Sequence, residues 1–473
     1  MTRPVRRILI DCSRTPLDER PTGIPRVVRQ YLAYAPAAAA RAGVDLVAVD
    51  YVREGIFARY RGPGAPPAPP APRRRRDLRL IPLKLLIELL RYVGPVLQNS
   101  LNLLAALLPI KPVRKVLHRF SNSVGKFVPK LKRLFGMGSP VAEPVTFGPG
   151  DVLFVPGCWF NMEISAYEAV RATGAEVVVL VHDVMPITLP QLHEYPWRFE
   201  FKQRFARLLP CLGHVYGISH QTLADVTAFA AAQGARVTAA VAYNGFTPPA
   251  IAADASALTP EVRRMLHRAP YVMVGTVEPK KGHADVVAAF EQLWAQGYDR
   301  PLLIVGRRGW HIEEAAERIF ASPWRDTHLF WETEADDAGL EACYRAACGF
   351  ISASHQEGFG LPGLEAAARG LPVVLRDLPV FREVMGGAAR YFRTPEDLAA
   401  LLLQLDAPGA LAQARAAIEG LTWYPWDVVV EAVVRDLVRP PSERHSGLSL
   451  LAEADRRPVG ACPPAALQMH AVV

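Results

Sequence analysis

Two glutamates, Glu357 and Glu365, bracket the turn HQEGFGLPGLEAAARG (355–370) with seven residues between them. Inside it Gly358, Gly360 and Gly363 spell G-x-G-x-x-G, and two chemistries compete for that pattern. One is a dinucleotide site, in which Asp377, 19 residues after Gly358, would hold a ribose. The other is a diphosphate cradled by backbone amides, with hydroxyl-bearing groups against the two carboxylates. Pro362 falls at the first position of a helix, where its missing N–H does no harm. Phe359, Gly360 and Leu361 would then turn backbone N–H groups, backed by the helix dipole, toward an anion. Lys280 and Lys281, in VGTVEPKKGH (274–283), add positive charge. The second chemistry fits better. A dinucleotide fingerprint follows the first strand of its domain, tolerates no proline in its turn, and would be repelled by flanking carboxylates that met no hydroxyl.

Those loops need a scaffold, and the apolar runs supply one. Strand-like segments at 7–12, 44–50, 151–157, 175–183, 214–219 and 237–243 alternate with helical ones, beginning with a helix from Gly23 to about Ala40. A second series follows at 271–277, 301–306, 327–332, 349–354, 372–377 and 389–392. Continuous apolar strands between helices predict α/β architecture with parallel sheets covered on both faces. We expect two Rossmann-like domains, at 1–255 and 256–439, joined near Pro248 to Pro260. In a sheet of order 3-2-1-4-5-6 the first and fourth strands meet where the winding reverses, and ligands bind beyond their carboxyl ends. The Lys280–Lys281 loop follows the first strand of the second domain and the Glu357 loop follows the fourth. Both reach one crevice.

The chain has 473 residues, half of them hydrophobic and 21% charged, which suits a globular enzyme of two domains. Its six scattered cysteines show no metal-ligand spacing and no disulfide framework. The short apolar run after the N-terminal arginines reads as a strand and not as a signal peptide, so the expected location is cytoplasmic. The formal charge of +8 is not spread out: between Arg73 and Arg133 fifteen Lys and Arg meet only Asp77 and Glu88, a local +13 that leaves the rest at −5. No nucleic-acid partner is implied. Residues 61–145 therefore read as an insertion, a Pro/Arg linker leading to basic amphipathic helices. An anionic membrane surface suits residues 73–135; packing on the protein itself and a membrane-spanning hairpin are the competing readings. Residues 440–473 show no period and read as a disordered tail.

The combination EGFGLPGLEAAARGLPVV (357–374) resembles the E-x7-E signature of retaining glycosyltransferases of the GT-B fold, family 4, and VGTVEPKKGH resembles a variant of that family's donor-phosphate loop, found in a mannosyltransferase-like subgroup. The N-terminal ILIDCSRTPLDERPTGIPRVVRQ, VHDVMPITLPQ, YGISHQTLADV, VAYNGF and DDAGLEACYRAACGF occur in the expected order, so the likeness covers most of residues 7–435. It implies two Rossmann-like domains facing across a cleft and transfer of a hexose from a nucleoside-diphosphate sugar, GDP-mannose by preference, to a polysaccharide or lipid-linked glycan, as in lipopolysaccharide synthesis. Glu357 would contact the donor sugar and Glu365 the ribose. Lys281, with Lys280 and Gly275 in the same loop, would hold the diphosphate. Gly23 would border phosphate or acceptor, and His182 the transferred sugar. No cofactor and no metal are expected, since Asp-x-Asp is missing.

Duller roles compete for several of these residues. Glu365 could pair with Arg369 one turn on, Lys280 and Lys281 could be surface charge, and His182 could be bonded internally. Ser219 reads as a helix cap and Asn244-Gly245 as a turn. Two other functions stay open: a dinucleotide-dependent oxidoreductase, and a non-catalytic sugar-nucleotide-binding or membrane scaffold protein.

Overall fold

A computed structural model describes residues 4–13, 15, 23–53, 56–60, 144–310 and 312–460. The described residues before 61 and after 145 cluster into one unit whose core is two large sheets, with a third, two-stranded one pairing Thr422–Trp423 and Arg457–Pro458. In the first, β1 (Arg7–Asp11) is followed by α1 (Ile24–Ala42), β2 (Asp45–Arg53), β3 (Ile56–Arg59), β4 (Asp151–Val155), α2 (Ile164–Ala172), β5 (Glu176–Val181), α3 (Trp197–Leu208), β6 (Leu212–Gly217), α4 (His220–Ala232) and β7 (Ala239–Val241). The strands lie in the order β3-β2-β1-β4-β5-β6-β7, with the short strand Pro144–Val145 outside β3 as the eighth. Among β1–β7 the neighbours are parallel except β2 and β3, an antiparallel pair not expected from the sequence. Every residue of β4 is buried, as expected for a strand roofed on both faces.

The second lobe contains β8 (Tyr271–Val274), α5 (His283–Trp294), β9 (Leu302–Val305), α6 (Glu313–Ala321), β10 (Leu329–Glu332), α7 (Asp337–Ala346), β11 (Gly349–Ser352), α8 (Leu361–Ala367), β12 (Val373–Arg376), α9 (Pro379–Met385), β13 (Ala389–Phe392) and α10 (Pro395–Leu405). Its six strands are all parallel in the order β10-β9-β8-β11-β12-β13. This is the 3-2-1-4-5-6 winding, with β8 and β11 adjacent at the reversal.

Helix α11 (Trp426–Leu437) falls within 256–439 yet packs on α1 of the first lobe. The chain thus crosses between lobes twice, and the crossings touch. Trp423 Nε1 donates to the Asn244 carbonyl at 2.9 Å and the Phe246 amide donates to the Tyr424 carbonyl at 2.9 Å. Gly245 permits this, because a Cβ there would lie 2.6 Å from the Trp426 Cα.

The expectation of disorder from Pro440 onward is corrected as far as Gly460. Residues 447–450 run beside β7, where Val241 N donates to Leu448 O and Leu450 N to Val241 O, both at 3.0 Å. Arg444, its side chain fully enclosed, pairs with Glu176 through both terminal nitrogens at 2.6 and 2.8 Å. Asp436, also buried, accepts from Tyr216 Oη at 2.7 Å and lies 2.7 Å from His445 Nδ1. Side-chain pairing across long sequence distances orders this segment, and a search for periodicity does not register such pairing. Arg444→Ala would leave Glu176 without its cation and is expected to cost about 3–5 kcal/mol of stability, read as a lower urea midpoint. The insertion 61–145, its proposed helices at 73–135, and residues 461–473 lie outside the described residues, apart from the short strand Pro144–Val145.

Two buried histidines tie stability to pH. Burial pushes His214 down to about 4 and His283 down to about 3. Between those values and the ordinary 6.5 the unfolded chain binds protons that the folded one does not, so stability falls on acidification. Each group contributes a slope of about 1.4 kcal/mol per pH unit in that window. Urea midpoints measured from pH 7 to pH 4 should fall less steeply in His214→Phe; an unchanged slope would reject the assignment.

Candidate active site at the lobe junction

The loops after β8 and β11 are built against each other. The His355 amide donates to the Lys280 carbonyl at 2.8 Å, and a Cβ on Gly282 would meet the Ala353 carbonyl at 2.2 Å. Pro279–Lys281 form a single 3-10 turn that delivers both lysines. Lys281 is ion-paired with Glu357, whose Oε1 also accepts from Ser354 Oγ at 2.7 Å. Burial alone would raise the Glu357 carboxyl, but the Lys281 ammonium and the Ser354 hydroxyl outweigh it and hold the group below the usual glutamate range. It is therefore a carboxylate at neutral pH, able to exchange its cation for a hydroxyl.

Lys280 reaches Glu278 at 3.3 Å and lies over the Trp310 ring, 5.7 Å from its centroid. Burial disfavours its charge, yet Asp183 of the first lobe, Glu278 and Glu357 together raise its pKa. Glu278 is itself nearly enclosed, and burial lifts its carboxyl against the pull of both lysines.

Glu365 does not pair with the Arg369 side chain. Arg369 turns to Glu341 and donates only to the Glu365 backbone carbonyl, at 2.6 Å. The Glu365 carboxylate instead binds Arg26 Nη1 at 2.5 Å and accepts from Tyr344 Oη at 3.2 Å. Arg26 comes from the start of α1 in the first lobe, three residues after Gly23. In PTGIPRVV the glycine is marked by its turn, while the arginine within one turn of it carries no local signal of its partner.

Helix α8 begins as expected: Gly360 is its N-cap at φ +95 and Pro362 sits in its first turn. Among the described residues the amides of Phe359, Gly360 and Leu361 have no hydrogen-bond acceptor. The Phe359 side chain is buried edge-on to Trp423 at 5.5 Å, so only its backbone faces a ligand. Gly23 (φ +61) and Gly275 (φ +143) have no heavy atom within 4 Å of an added Cβ, leaving bare backbone beside open space.

Gly358 has another task. A Cβ there would lie 2.1 Å from the His182 carbonyl oxygen of the first lobe, so this glycine lets the lobes close. Asp377 is held by Arg382 at 2.5 Å and Arg393 at 3.0 Å. With one glycine committed to a lobe contact and the acid neutralised, the dinucleotide reading loses both its supports.

His182 is almost enclosed, and its Nε2 lies 2.8 Å from the Pro156 carbonyl. A carbonyl only accepts, so Nε2 carries the proton and Nδ1 is left as an acceptor. Burial lowers its pKa and keeps the ring neutral at pH 7. Asp183 caps the following turn, accepting from the Met185 amide at 3.1 Å, and Ser219 caps α4, accepting from Thr222 N at 3.0 Å. Beyond His182 opens a cavity of about 380 Å³ walled by Trp159, Phe160, Trp197, Phe201 and Trp310. None of these aromatics was singled out from sequence; the spacing of Trp197, Phe201 and Phe205 along α3 reads equally as core.

Two Rossmann-like lobes, with a lysine, two glutamates and a glycine-started helix at the switch point of the second, have the architecture of GT-B glycosyltransferases. Residues 266–406 match the family Glycosyl transferases group 1, so the second lobe carries a domain of that family. Over 322 residues the chain is 33% identical to the serotype-specific mannosyltransferase WbdA of Escherichia coli, covering 62% of this chain and 38% of that protein. It is 34% identical over 116 residues to O-antigen chain mannosyltransferase B of Escherichia coli, covering 24% of this chain and 30% of that one. The chain thus spans well under half the length of these relatives. Among solved structures, Anabaena Alr3699/HepE aligns with TM-score 0.51 at 13% identity, covering 91% of this chain and 98% of HepE. Sucrose-phosphate synthase from Thermosynechococcus elongatus gives 0.52 at 14% identity, with the same coverage. At such identities the likeness is one of fold.

Proposed function

We propose that the protein is a retaining glycosyltransferase that moves a hexose, mannose by preference, from a nucleoside-diphosphate sugar to a polysaccharide or lipid-linked glycan. The observation that carries this reading is the set of ion pairs at the lobe junction, Lys281 with Glu357 and Arg26 with Glu365. Each pair offers a cation for phosphate and a carboxylate for hydroxyls. In the reaction the bond between the sugar's anomeric carbon and the diphosphate oxygen breaks, and the acceptor hydroxyl oxygen bonds to that carbon. The departing diphosphate oxygen takes the electron pair of the broken bond and accepts the hydroxyl's proton. Lys281 and the amides of residues 359–361 stabilise the charge that builds on the leaving group. Glu357 and the neutral His182 position the sugar, and Glu365 holds the ribose once Arg26 yields it.

The relatives' names, mannosyltransferases of O-antigen synthesis, support GDP-mannose as donor and a bacterial surface glycan as acceptor. Residues 73–135, whose local +13 exceeds the chain's net +8, support contact with the anionic inner face of the cell membrane. No helix among the described residues is long and apolar enough to cross a membrane. No cofactor or metal is part of this reading. The test is turnover of a panel of radiolabelled sugar nucleotides by the purified chain, with NADH titrated in parallel. Release of labelled mannose or its transfer is the expected result. A panel left untouched while NADH binds would reject the reading in favour of an oxidoreductase.

A further inference from the structure

Consecutive residues of the loop after β11 are tied to different places. The His355 amide is bonded to the Lys280 carbonyl and the Glu357 carboxylate to Lys281, both within the second lobe. Gln356, between them, faces the first lobe. Its Oε1 accepts from Thr188 Oγ1 at 2.9 Å, and its Nε2 donates to Asp225 Oδ2 at 3.3 Å. Asp225 lies on α4, where its other oxygen accepts from Gln221 Nε2 at 2.8 Å. A carboxylate only accepts, so the Gln356 nitrogen must face Asp225, and its oxygen is left to the Thr188 hydroxyl. The second lobe grips α4 again nearby. The His220 amide at the start of that helix donates to Glu383 Oε1 of α9 at 2.7 Å. Thr222 Oγ1 lies 3.5 Å from the Gly358 carbonyl oxygen and 3.4 Å from that of His182. Positions 220, 222 and 225 thus carry the docking, all toward one end of one helix.

We infer that Gln356 is a positioning residue for the transfer: its two bonds to the first lobe latch the loop and set where Glu357 stands relative to His182. This rests on the glycosyltransferase reading above. Gln356 adjoins Glu357 in the chain, so a displaced glutamine carries the glutamate with it. Lys281, Glu357 and the start of α8 belong to the second lobe and hold the donor whether or not the latch is made. His182 belongs to the first lobe, and a misplacement of about an ångström between reacting sides is costly in rate. The latch needs an amide opposite a carboxylate, and its inverse satisfies the same groups. With Gln356→Glu and Asp225→Asn combined, the amide at 225 donates to the carboxylate at 356 and still accepts from Gln221, while the Thr188 hydroxyl keeps its acceptor. Gln356→Glu alone sets two carboxylates face to face. Asp225→Asn alone leaves two amides, which satisfy each other once Gln356 turns its own amide over.

The experiment compares the full-length wild type, both single variants and the double variant in steady-state turnover of GDP-mannose. Hydrogen exchange of the His220 amide, whose bond crosses between the lobes, is measured alongside. Gln356→Glu should lower kcat about 30-fold with the donor KM within about twofold, since the donor-holding groups keep their mutual arrangement. Asp225→Asn should cost no more than about threefold, and the double variant should recover to within about threefold of wild type. The His220 amide should exchange faster in Gln356→Glu and return to the wild-type rate in the double variant. Full activity in Gln356→Glu would overturn the proposal, and so would a loss that Asp225→Asn does not recover, because the effect would then not pass through Asp225. A wild type that leaves GDP-mannose untouched while the exchange pattern holds would count against the enzymatic reading and uphold the latch. Exchange indifferent to both substitutions would overturn the latch itself.

Discussion

Lys281→Ala is expected to lower kcat/KM for the nucleotide sugar by about 10²–10³-fold, the scale seen when one preorganised charge is removed from a developing anion. Two effects add. The diphosphate loses the cation nearest the point where the bond breaks. Glu357 loses the neighbour that keeps it ionised, so burial, the largest influence on that carboxyl, is no longer outweighed and its pKa rises. Residual activity should therefore fall off at a higher pH on the acid side than in the wild type, since the protonated carboxyl is no longer an acceptor for sugar hydroxyls. The pH profile of kcat/KM checks this. A uniform loss with an unshifted acid limb would mean that Lys281 acts on the leaving group alone, and unchanged turnover would remove it from the site.

Gly358→Ala should reduce kcat by about 100-fold while the donor KM moves far less. The added methyl would stand 2.1 Å from the His182 carbonyl oxygen, which is backbone and cannot step aside as a side chain would. The lobes must separate by more than an ångström at that point. Lys281, Glu357 and the start of α8 lie on the same side of the contact and keep their mutual arrangement, so donor binding largely survives. His182 lies on the other side and is displaced. Gly363→Ala is the internal control: the nearest atom to its Cβ would be Met385 Sδ at 3.9 Å, an ordinary contact within a helix, so activity should be preserved. Equal tolerance at both positions would show that the lobe contact does not matter to the reaction.

The strands were legible because each is a short apolar run between helices, and in a parallel sheet nearly every residue of such a run is buried. The winding of the second sheet followed from strand counting, and with it the meeting of the Lys281 and Glu357 loops. What lay beyond reach was pairing between residues distant in sequence. Arg26 and Glu365 are 339 positions apart, and no local pattern marks the arginine as the partner of the glutamate. The same holds for Arg444 with Glu176, which turned an expected tail into ordered structure. Trp310 and the aromatics of α3 carry signals that a core would give equally well, and only the cavity they share distinguishes them. Gly358, the first glycine of the G-x-G-x-x-G pattern, is explained by its neighbour across the lobes: a glycine can be required by an approaching carbonyl as readily as by a ligand.

The side-by-side passages at Asn244–Phe246 and Trp423–Trp426 have a mechanical corollary. Two chain segments bonded to each other act as a strap, and a strap resists sliding and twisting while it still permits rocking. Excursions of one lobe against the other must pivot there, so displacement grows with distance from the strap.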